Sequence, residues 1–136
     1  MVRLPQEAAP VPMGVHGAIA EHYGLAENSY VPHASTLDYI VGATGGCLMG
    51  TLNTALLARQ IVTGDGRLTG EATGEIENID GVLVIRRIRM RVTLRAPGAQ
   101  RDAAARAVEV YATKCPVYRS LCNAIDITTE LDFQSL

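Results

Sequence analysis

The stretch STLDYIVGATGGCLMGTLNTALLAR, residues 35–59, decides the fold. Ser35 or Thr36 suits the N-cap of a helix, Asp38 falls in its first turn, and apolar residues then recur as far as Leu57. This pattern predicts one long helix over residues 35–59. Because the segment is apolar around much of its circumference, we expect a central, buried helix that other parts of the backbone approach closely.

Four glycines fall within nine residues of the predicted helix: Gly42, Gly45, Gly46 and Gly50. A glycine in a helix interior costs about 1 kcal/mol relative to alanine, so this cluster needs a reason. Tight packing of the helix is one reason, and clearance for a substrate near Cys47 is another. The sequence leaves both open.

The remaining elements follow from periodicity and turn residues. A strand over residues 67–78, a turn at Asp80-Gly81 and a returning strand over 82–95 predict a hairpin, with a bulge near Ile85 and Arg86. A second helix over 101–113 and a closing strand over 125–133 follow. The order helix, hairpin, helix, strand predicts an α+β domain.

Length and composition indicate one globular domain over residues 1–136, with residues 1–14 as an extended or flexible arm. The net charge of −2 disfavours nucleic acid as the main partner. Arginines cluster in the second strand, but their alternation favours a solvated strand face: Arg86, Arg87, Arg89, Arg91 and Arg95.

Two sequence patterns that would indicate a cellular location outside the cytoplasm are absent. No segment reaches the roughly 20 uninterrupted apolar residues of a membrane-spanning helix, and the N-terminus lacks the pattern of a signal peptide. We therefore expect a cytoplasmic protein without a membrane partner.

The chain has three cysteines, and two of them lie in distinctive settings. Cys47 sits in the apolar helix, and Cys115 lies between Lys114 and Pro116. Pro116 at a first helical position would make Cys115 the N-cap, where a cation and the positive end of the helix dipole lower a thiol pKa. Cys122 suits a small buried core residue.

A metal centre is not expected from the ligand spacing. The cysteines and the three histidines form no short Cys-x-x-Cys or His-x-x-x-His pattern: His16, His22 and His33. We accordingly expect no metal and no cofactor.

These elements and motifs resemble the OsmC/Ohr family of thiol peroxidases, the osmotically induced and organic hydroperoxide resistance proteins. The resemblance rests on the order of elements and on two motifs. One is Ala43-Thr44-Gly45-Gly46-Cys47-Leu48, and the other, roughly seventy residues later, is Lys114-Cys115-Pro116-Val117. It covers about residues 35–133 and implies an OsmC-like fold with a long central helix, antiparallel strands and an intertwined homodimer.

The resemblance also implies roles for individual residues. Cys47 would be the peroxidatic cysteine and Cys115 the resolving one. The family carries an acidic residue nine or ten positions before the first cysteine, which orients an arginine, and Asp38 stands at the nearer position. Arg3 is the arginine that precedes the long helix, and the three histidines are alternative donors.

The function implied is a thiol-dependent peroxidase of the oxidative stress response. It would reduce organic hydroperoxides, and hydrogen peroxide as well, through a Cys47 sulfenic acid and a Cys47–Cys115 disulfide that a dithiol reductant reopens. A pocket of Leu48, Met49, Leu52 and Tyr118 would favour apolar peroxides. Two alternatives stay open: a non-catalytic small-molecule-binding or interaction module with attenuated chemistry, and a structural dimer with inert cysteines.

Overall fold

The computed structural model describes residues 1–136. It divides into two compact units, residues 1–40 and residues 41–136. The elements are α1 (Gly17–His22), α2 (Thr36–Leu57), β1 (Leu68–Ile79), β2 (Val82–Ala96), α3 (Arg101–Val110), α4 (Pro116–Leu121) and β3 (Asp126–Ser135). The order of the long helix, hairpin, helix and closing strand confirms the α+β prediction.

The first unit is held together by a few backbone and side-chain bonds. Val2 and Val11 form an isolated antiparallel bridge, so the predicted arm folds back on itself. The N–H of Gly14 donates to the carbonyl of Ala34 at 2.9 Å. The Tyr39 hydroxyl donates to the carbonyl of Pro12, also at 2.9 Å.

The hairpin of the second unit follows the sequence closely. Asp80 and Gly81 both have positive φ, 51° and 85°, which suits a tight hairpin turn. Glu75 pairs with Arg87, whereas the next residue, Ile76, pairs with Ile85. Arg86 is therefore the extra residue of a β-bulge, at the predicted position.

The closing strand corrects one expectation. The sheet has the order β1-β2-β3, and β3 runs parallel to β2 rather than antiparallel. A parallel neighbour needs a long crossover, and the segment with α3 and α4 supplies one. Periodicity within a strand does not reveal the direction of its neighbour. The helix predicted between the second and the closing strand was the signal that could have indicated a parallel pair.

Helix α2 packs directly on the inner face of the sheet. Leu48, Leu52 and Leu56 are almost wholly inaccessible and join a core with residues of β2 and α3: Met90, Val92, Leu94, Ala104 and Ala107. A Cβ added at Gly45 would lie 2.7 Å from the Cβ of Ala72 on β1. Tight packing therefore accounts for Gly45.

The other three helix glycines behave differently. A Cβ at Gly42, Gly46 or Gly50 would meet nothing within 4 Å, and all three residues are exposed. They recur every four residues and so share one face of α2. Packing within the chain therefore does not account for these three glycines.

The outer face of the sheet carries the arginine cluster. Arg87 and Arg89 both form ion pairs with Glu75, and Arg91 lies 3.8 Å from Glu130. The side chains of these arginines are 42% to 69% exposed. The predicted solvated strand face is confirmed.

One expectation about α2 needs revision. By length and composition alone, Thr36–Leu57 is apolar enough to cross a membrane. Of its most apolar 18-residue stretch, 28% is buried within the chain. Scattered threonines and Asp38 interrupt the apolar run, so the segment contains no 20 uninterrupted apolar residues. The core helix of a soluble protein passes the same test, so a single such helix is weak support for a membrane span.

Candidate active site

Two cysteines from distant parts of the sequence meet in the second unit. The thiol of Cys115 donates a hydrogen bond to the sulfur of Cys47, with 3.1 Å between the two Sγ atoms. Both cysteines are free thiols. At this separation a small movement brings the sulfurs to the roughly 2.05 Å of a disulfide bond.

Each cysteine is positioned by a local feature of the sequence. Cys47 lies in the middle of α2 and is half-buried. Cys115 is the N-cap of α4, with Pro116 at the first helical position, and its sulfur accepts from the N–H of Tyr118 at 3.5 Å. The cap that Lys-Cys-Pro predicted is therefore present.

The cap does not lower the pKa of Cys115 as the sequence predicted. Burial raises the pKa of the Cys115 thiol, and the hydrogen bond to Cys47 and the charge of Cys47 raise it further. The N–H of Tyr118 and the hydroxyl of Thr51 lower the pKa, but they do not compensate. Cys115 is wholly inaccessible, which the sequence could not show, and desolvation outweighs the helix terminus.

Asp38 is engaged in the first unit. Its Oδ2 accepts from the N–H of Ser35 at 2.6 Å, from the Ser35 hydroxyl at 2.7 Å and from Nε2 of His16 at 2.8 Å. The N–H of Asp38 donates back to the Ser35 hydroxyl at 3.2 Å. This reciprocal pair is a capping box at the start of α2.

No arginine joins the Asp38 cluster. Arg3 is exposed and takes part in none of the ion pairs formed within the chain. The side chain that bonds to Asp38 from outside α2 is His16, one of the three histidines named as alternative donors. Burial raises the pKa of Asp38, but the bonds from Ser35 and His16 outweigh it and leave that pKa below its ordinary value.

Comparison with known proteins supplies the family. A family model described as OsmC-like protein matches residues 28–130, more than half of the chain. The chain belongs to this family. No curated protein sequence matches it.

Solved structures of OsmC-like proteins share the fold. An OsmC-like protein from Mycoplasma pneumoniae has 16% identity and a TM-score of 0.63, over 79% of this chain and 77% of that one. The organic hydroperoxide resistance protein OhrB of Bacillus subtilis has 16% identity and a TM-score of 0.60, over 87% and 79%. An organic hydroperoxide resistance protein from Elizabethkingia anophelis has 18% identity and a TM-score of 0.59, over 84% and 76%. At these identities the likeness shows the fold alone.

The substrate pocket that was predicted for this OsmC-like chain, lined by Leu48, Met49, Leu52 and Tyr118, is not formed. Leu48 and Leu52 are part of the closed core. A cavity of about 530 Å³ instead lies between the second half of α2 and the segment that leads into Cys115. Its lining combines small and apolar groups with two cations: Thr51, Thr54, Ala55, Ala58, Arg59, Val110, Tyr111, Thr113 and Lys114.

The sequence also gave rise to predictions about Cys122 and about metal-binding side chains. Cys122 is exposed at the C-cap of α4 rather than buried in the core, because α4 is short and ends at the surface. No group of three or more histidine, cysteine, aspartate or glutamate side chains within residues 1–136 is arranged to hold a metal ion.

Proposed function

We propose that this OsmC-like protein is a thiol-dependent peroxidase that reduces organic hydroperoxides, with Cys47 as the peroxidatic and Cys115 as the resolving cysteine. The observation that carries the proposal is the 3.1 Å contact between the two sulfurs. Family membership supports it, and two proteins of the same fold, from Bacillus subtilis and Elizabethkingia anophelis, are organic hydroperoxide resistance proteins.

The two cysteines differ in ways that suit these roles. Cys47 is half-buried and can be reached, whereas Cys115 is inaccessible. The raised pKa of Cys115 means that it keeps its proton, and this proton points at the Cys47 sulfur. A donated hydrogen bond stabilises negative charge on the sulfur that receives it. Cys47 is therefore the better first nucleophile.

The first step consumes the peroxide. The Cys47 thiolate attacks the distal oxygen of the hydroperoxide, the oxygen–oxygen bond breaks, and the alkoxide leaves as the alcohol after it gains a proton. Cys47 becomes a sulfenic acid. The sulfur is oxidised by two electrons, and the peroxide is reduced by two.

The second step protects that sulfenic acid from further oxidation. The Cys115 sulfur attacks the Cys47 sulfur, the hydroxyl of the sulfenic acid leaves with the Cys115 proton as water, and a disulfide forms. A dithiol reductant then reopens the bond by thiolate exchange. The dithiol supplies the two electrons that complete the cycle.

Peptide mapping and a consumption assay test the proposal together. After one equivalent of cumene hydroperoxide, we expect the dominant disulfide to join Cys47 and Cys115, and catalytic consumption of the peroxide with dithiothreitol present. Cys47→Ser should abolish consumption, and Cys115→Ser should leave a sulfenic acid that dimedone traps. Cys122→Ser is the matched control and should behave as the wild type.

Two outcomes would contradict the assignment. A dominant bond between Cys115 and Cys122 would overturn the assigned roles, and a folded protein that consumes no peroxide would overturn the activity. Hydrogen peroxide in place of cumene hydroperoxide measures the preference for an apolar substrate.

The second candidate function is a non-catalytic binding or interaction module. One observation favours it: the Asp38 carboxylate is held by Ser35 and His16, where the family resemblance implied an arginine. Under this alternative the two thiols would still lie together but would not turn over peroxide. The same consumption assay separates the two functions.

A further inference from the structure

The cavity of about 530 Å³ beside the cysteine pair has no part in the proposed chemistry. One wall comes from the second half of α2 and the residues after it, and the other from the end of α3 and the segment that leads into Cys115. Neither cysteine lines it, although Thr51 follows Cys47 by one helical turn and Lys114 directly precedes Cys115. The volume lies within the range of about 300 to 1,000 Å³ that small-molecule sites occupy.

The three threonines in the cavity wall are already committed as donors. Each hydroxyl donates to a backbone carbonyl three or four residues earlier, at 2.8 to 3.1 Å: Thr51 to Cys47, Thr54 to Gly50 and Thr113 to Val110. A hydroxyl has one proton, so these side chains present methyl groups and oxygen lone pairs to the cavity. The Tyr111 hydroxyl is likewise paired with Thr129, at 2.5 Å.

The side-chain donors that remain in the wall belong to two cations, Arg59 and Lys114. Both residues are exposed, and neither takes part in an ion pair within the chain. Arg59 gives one N–H to the carbonyl of Ala55 at 2.8 Å, which leaves the other N–H groups of its guanidinium for a ligand. No lining residue is acidic. The polar groups of the cavity therefore favour an anion, since charge-assisted hydrogen bonds are the strongest that these donors can make.

The rest of the wall is apolar. It consists of Ala55, Ala58 and Val110, together with the ring of Tyr111 and the threonine methyl groups. An ion pair between exposed groups contributes little by itself, so two exposed cations would hold a bare anion only weakly. Burial of apolar surface against this wall supplies the additional affinity. The ligand that fits both halves of the cavity has an anionic group and an apolar body.

We propose that this cavity binds a small organic anion, a carboxylate or phosphate group carried on a short apolar body, with the anionic group held by Arg59 and Lys114. The ligand lies beside the two sulfurs and exchanges no atom with them. The inference does not rest on the proposed function, because binding requires neither a peroxide nor a reactive thiol.

Calorimetric titration of the reduced wild-type protein tests the two halves of the ligand separately. The probes are hexanoate, hexyl phosphate, hexanol and acetate. We expect both hexyl anions to bind, and hexanol and acetate to bind at least about tenfold more weakly, because each lacks one half of the ligand. The tighter of the two anions identifies the source as a carboxylic acid or a phosphate ester. Hexanol or acetate that binds as tightly as hexanoate would overturn the inference.

The role of the two cations is tested by substitution. Arg59→Gln and Lys114→Gln should each weaken the binding of hexanoate about tenfold, the size expected for one hydrogen bond to a charged group, and leave the binding of hexanol unchanged. Arg59→Lys, which keeps the charge, should bind more tightly than Arg59→Gln. Arg95→Gln is the matched control, since it removes an exposed arginine from the outer face of the sheet, outside the cavity. Equal weakening in Arg95→Gln would indicate a general effect of net charge and overturn the site.

The location of the ligand is tested by filling the cavity. Ala58→Leu places a larger side chain in the wall without a change of charge, and it should abolish the binding of hexanoate. Ala105→Leu, at an exposed position of α3 outside the cavity, is the control and should bind as the wild type. Wild-type affinity in a folded Ala58→Leu variant would contradict the assigned location.

Cys47→Ser separates this site from the peroxide chemistry. Because neither sulfur lines the cavity, the variant should bind hexanoate with the wild-type affinity, and a loss of binding would place the anion at the thiol and overturn the inference. A wild type that binds hexanoate but consumes no peroxide would remove the proposed function and support the cavity as a binding site. A wild type that consumes peroxide and binds none of the four probes would overturn the binding site alone.

Discussion

Asp38 shows how one carboxylate can support two interpretations. The family resemblance assigns it to the orientation of a cation, and its place in the first turn assigns it to the helix terminus. The structure shows the capping box with Ser35, together with the bond from His16. No arginine is present in that cluster. We therefore expect Asp38 to act mainly by stabilising the start of α2, and not by activating Cys47.

We expect Asp38→Asn to lower the free energy of unfolding by roughly 0.5 to 1 kcal/mol and to leave the labelling of Cys47 by iodoacetamide unchanged at each pH. Denaturant unfolding and peptide mapping measure the two quantities. Arg3→Ala is the control and should change neither. A slower labelling of Cys47 in Asp38→Asn, matched in His16→Gln, would instead assign Asp38 to the activation of the thiol.

The pH dependence of stability gives a further check on Asp38. Because its pKa is lowered in the folded protein, its contribution is present above the pKa of the unfolded chain and is lost as the pH falls through the folded value. The loss should therefore begin below about pH 4, the ordinary value for aspartate. Asp38→Asn should show a shallower decline in that window, and an equally steep decline would contradict the assignment.

At the scale of elements, α2 and β1 are fitted to one another by small residues. Gly45 of α2 lies against Ala72, and the neighbouring strand glycines receive longer side chains, with Gly70 facing Met49 and Gly74 facing Val41. A larger residue at Gly74 would meet the branched side chain of Val41, which has little freedom to move, whereas at Gly70 the flexible Met49 side chain can shift. The close approach is what allows the leucines of α2 to reach β2.

Gly45→Ala tests this fit. Alanine favours a helix interior by about 1 kcal/mol, but its Cβ would lie 2.7 Å from that of Ala72, and both are fixed to backbone. We expect overpacking to win and to lower the free energy of unfolding by about 1 to 3 kcal/mol. Adding Ala72→Gly should recover part of the loss, and strictly additive effects in denaturant unfolding would contradict the contact.

The parts of the fold that the sequence predicted are those set by local chemistry. The long helix, the turn at Asp80-Gly81, the bulge at Arg86 and the cap at Cys115 each depend on a few adjacent residues. The pairing of β3 with β2, the burial of Cys115 and the exposure of Cys122 depend on residues far apart in the chain. Periodicity carries no information on these distant contacts, and the predicted pocket was wrong for the same reason.

At the scale of the whole molecule, one face of α2 has no partner within the chain. Gly42, Gly46 and Gly50 are exposed along it, and Leu57 is 53% exposed near its end. Monomers rarely expose a continuous apolar surface of this kind. We propose that a second copy of the chain covers it. The cytoplasmic location also remains a prediction.

Sedimentation tests the dimer directly. We expect dilute wild-type protein to sediment as a dimer of the 14.5 kDa chain, and Gly50→Leu to shift it toward monomer because the side chain would fill the space that the partner occupies. Gly64→Leu, at an exposed loop glycine with open space around it, is the control. A stable folded monomer in the wild type would contradict the proposal.

The separation of the two cysteines along the chain has an energetic consequence. Cys47 and Cys115 are 68 residues apart, so a disulfide between them would close a long loop. In the chain-entropy description such a closure disfavours the unfolded ensemble by about 4 kcal/mol. Each round of oxidation and reduction would then alternately tighten and release the chain, and the redox state of the pair could be read from the unfolding temperature of the protein.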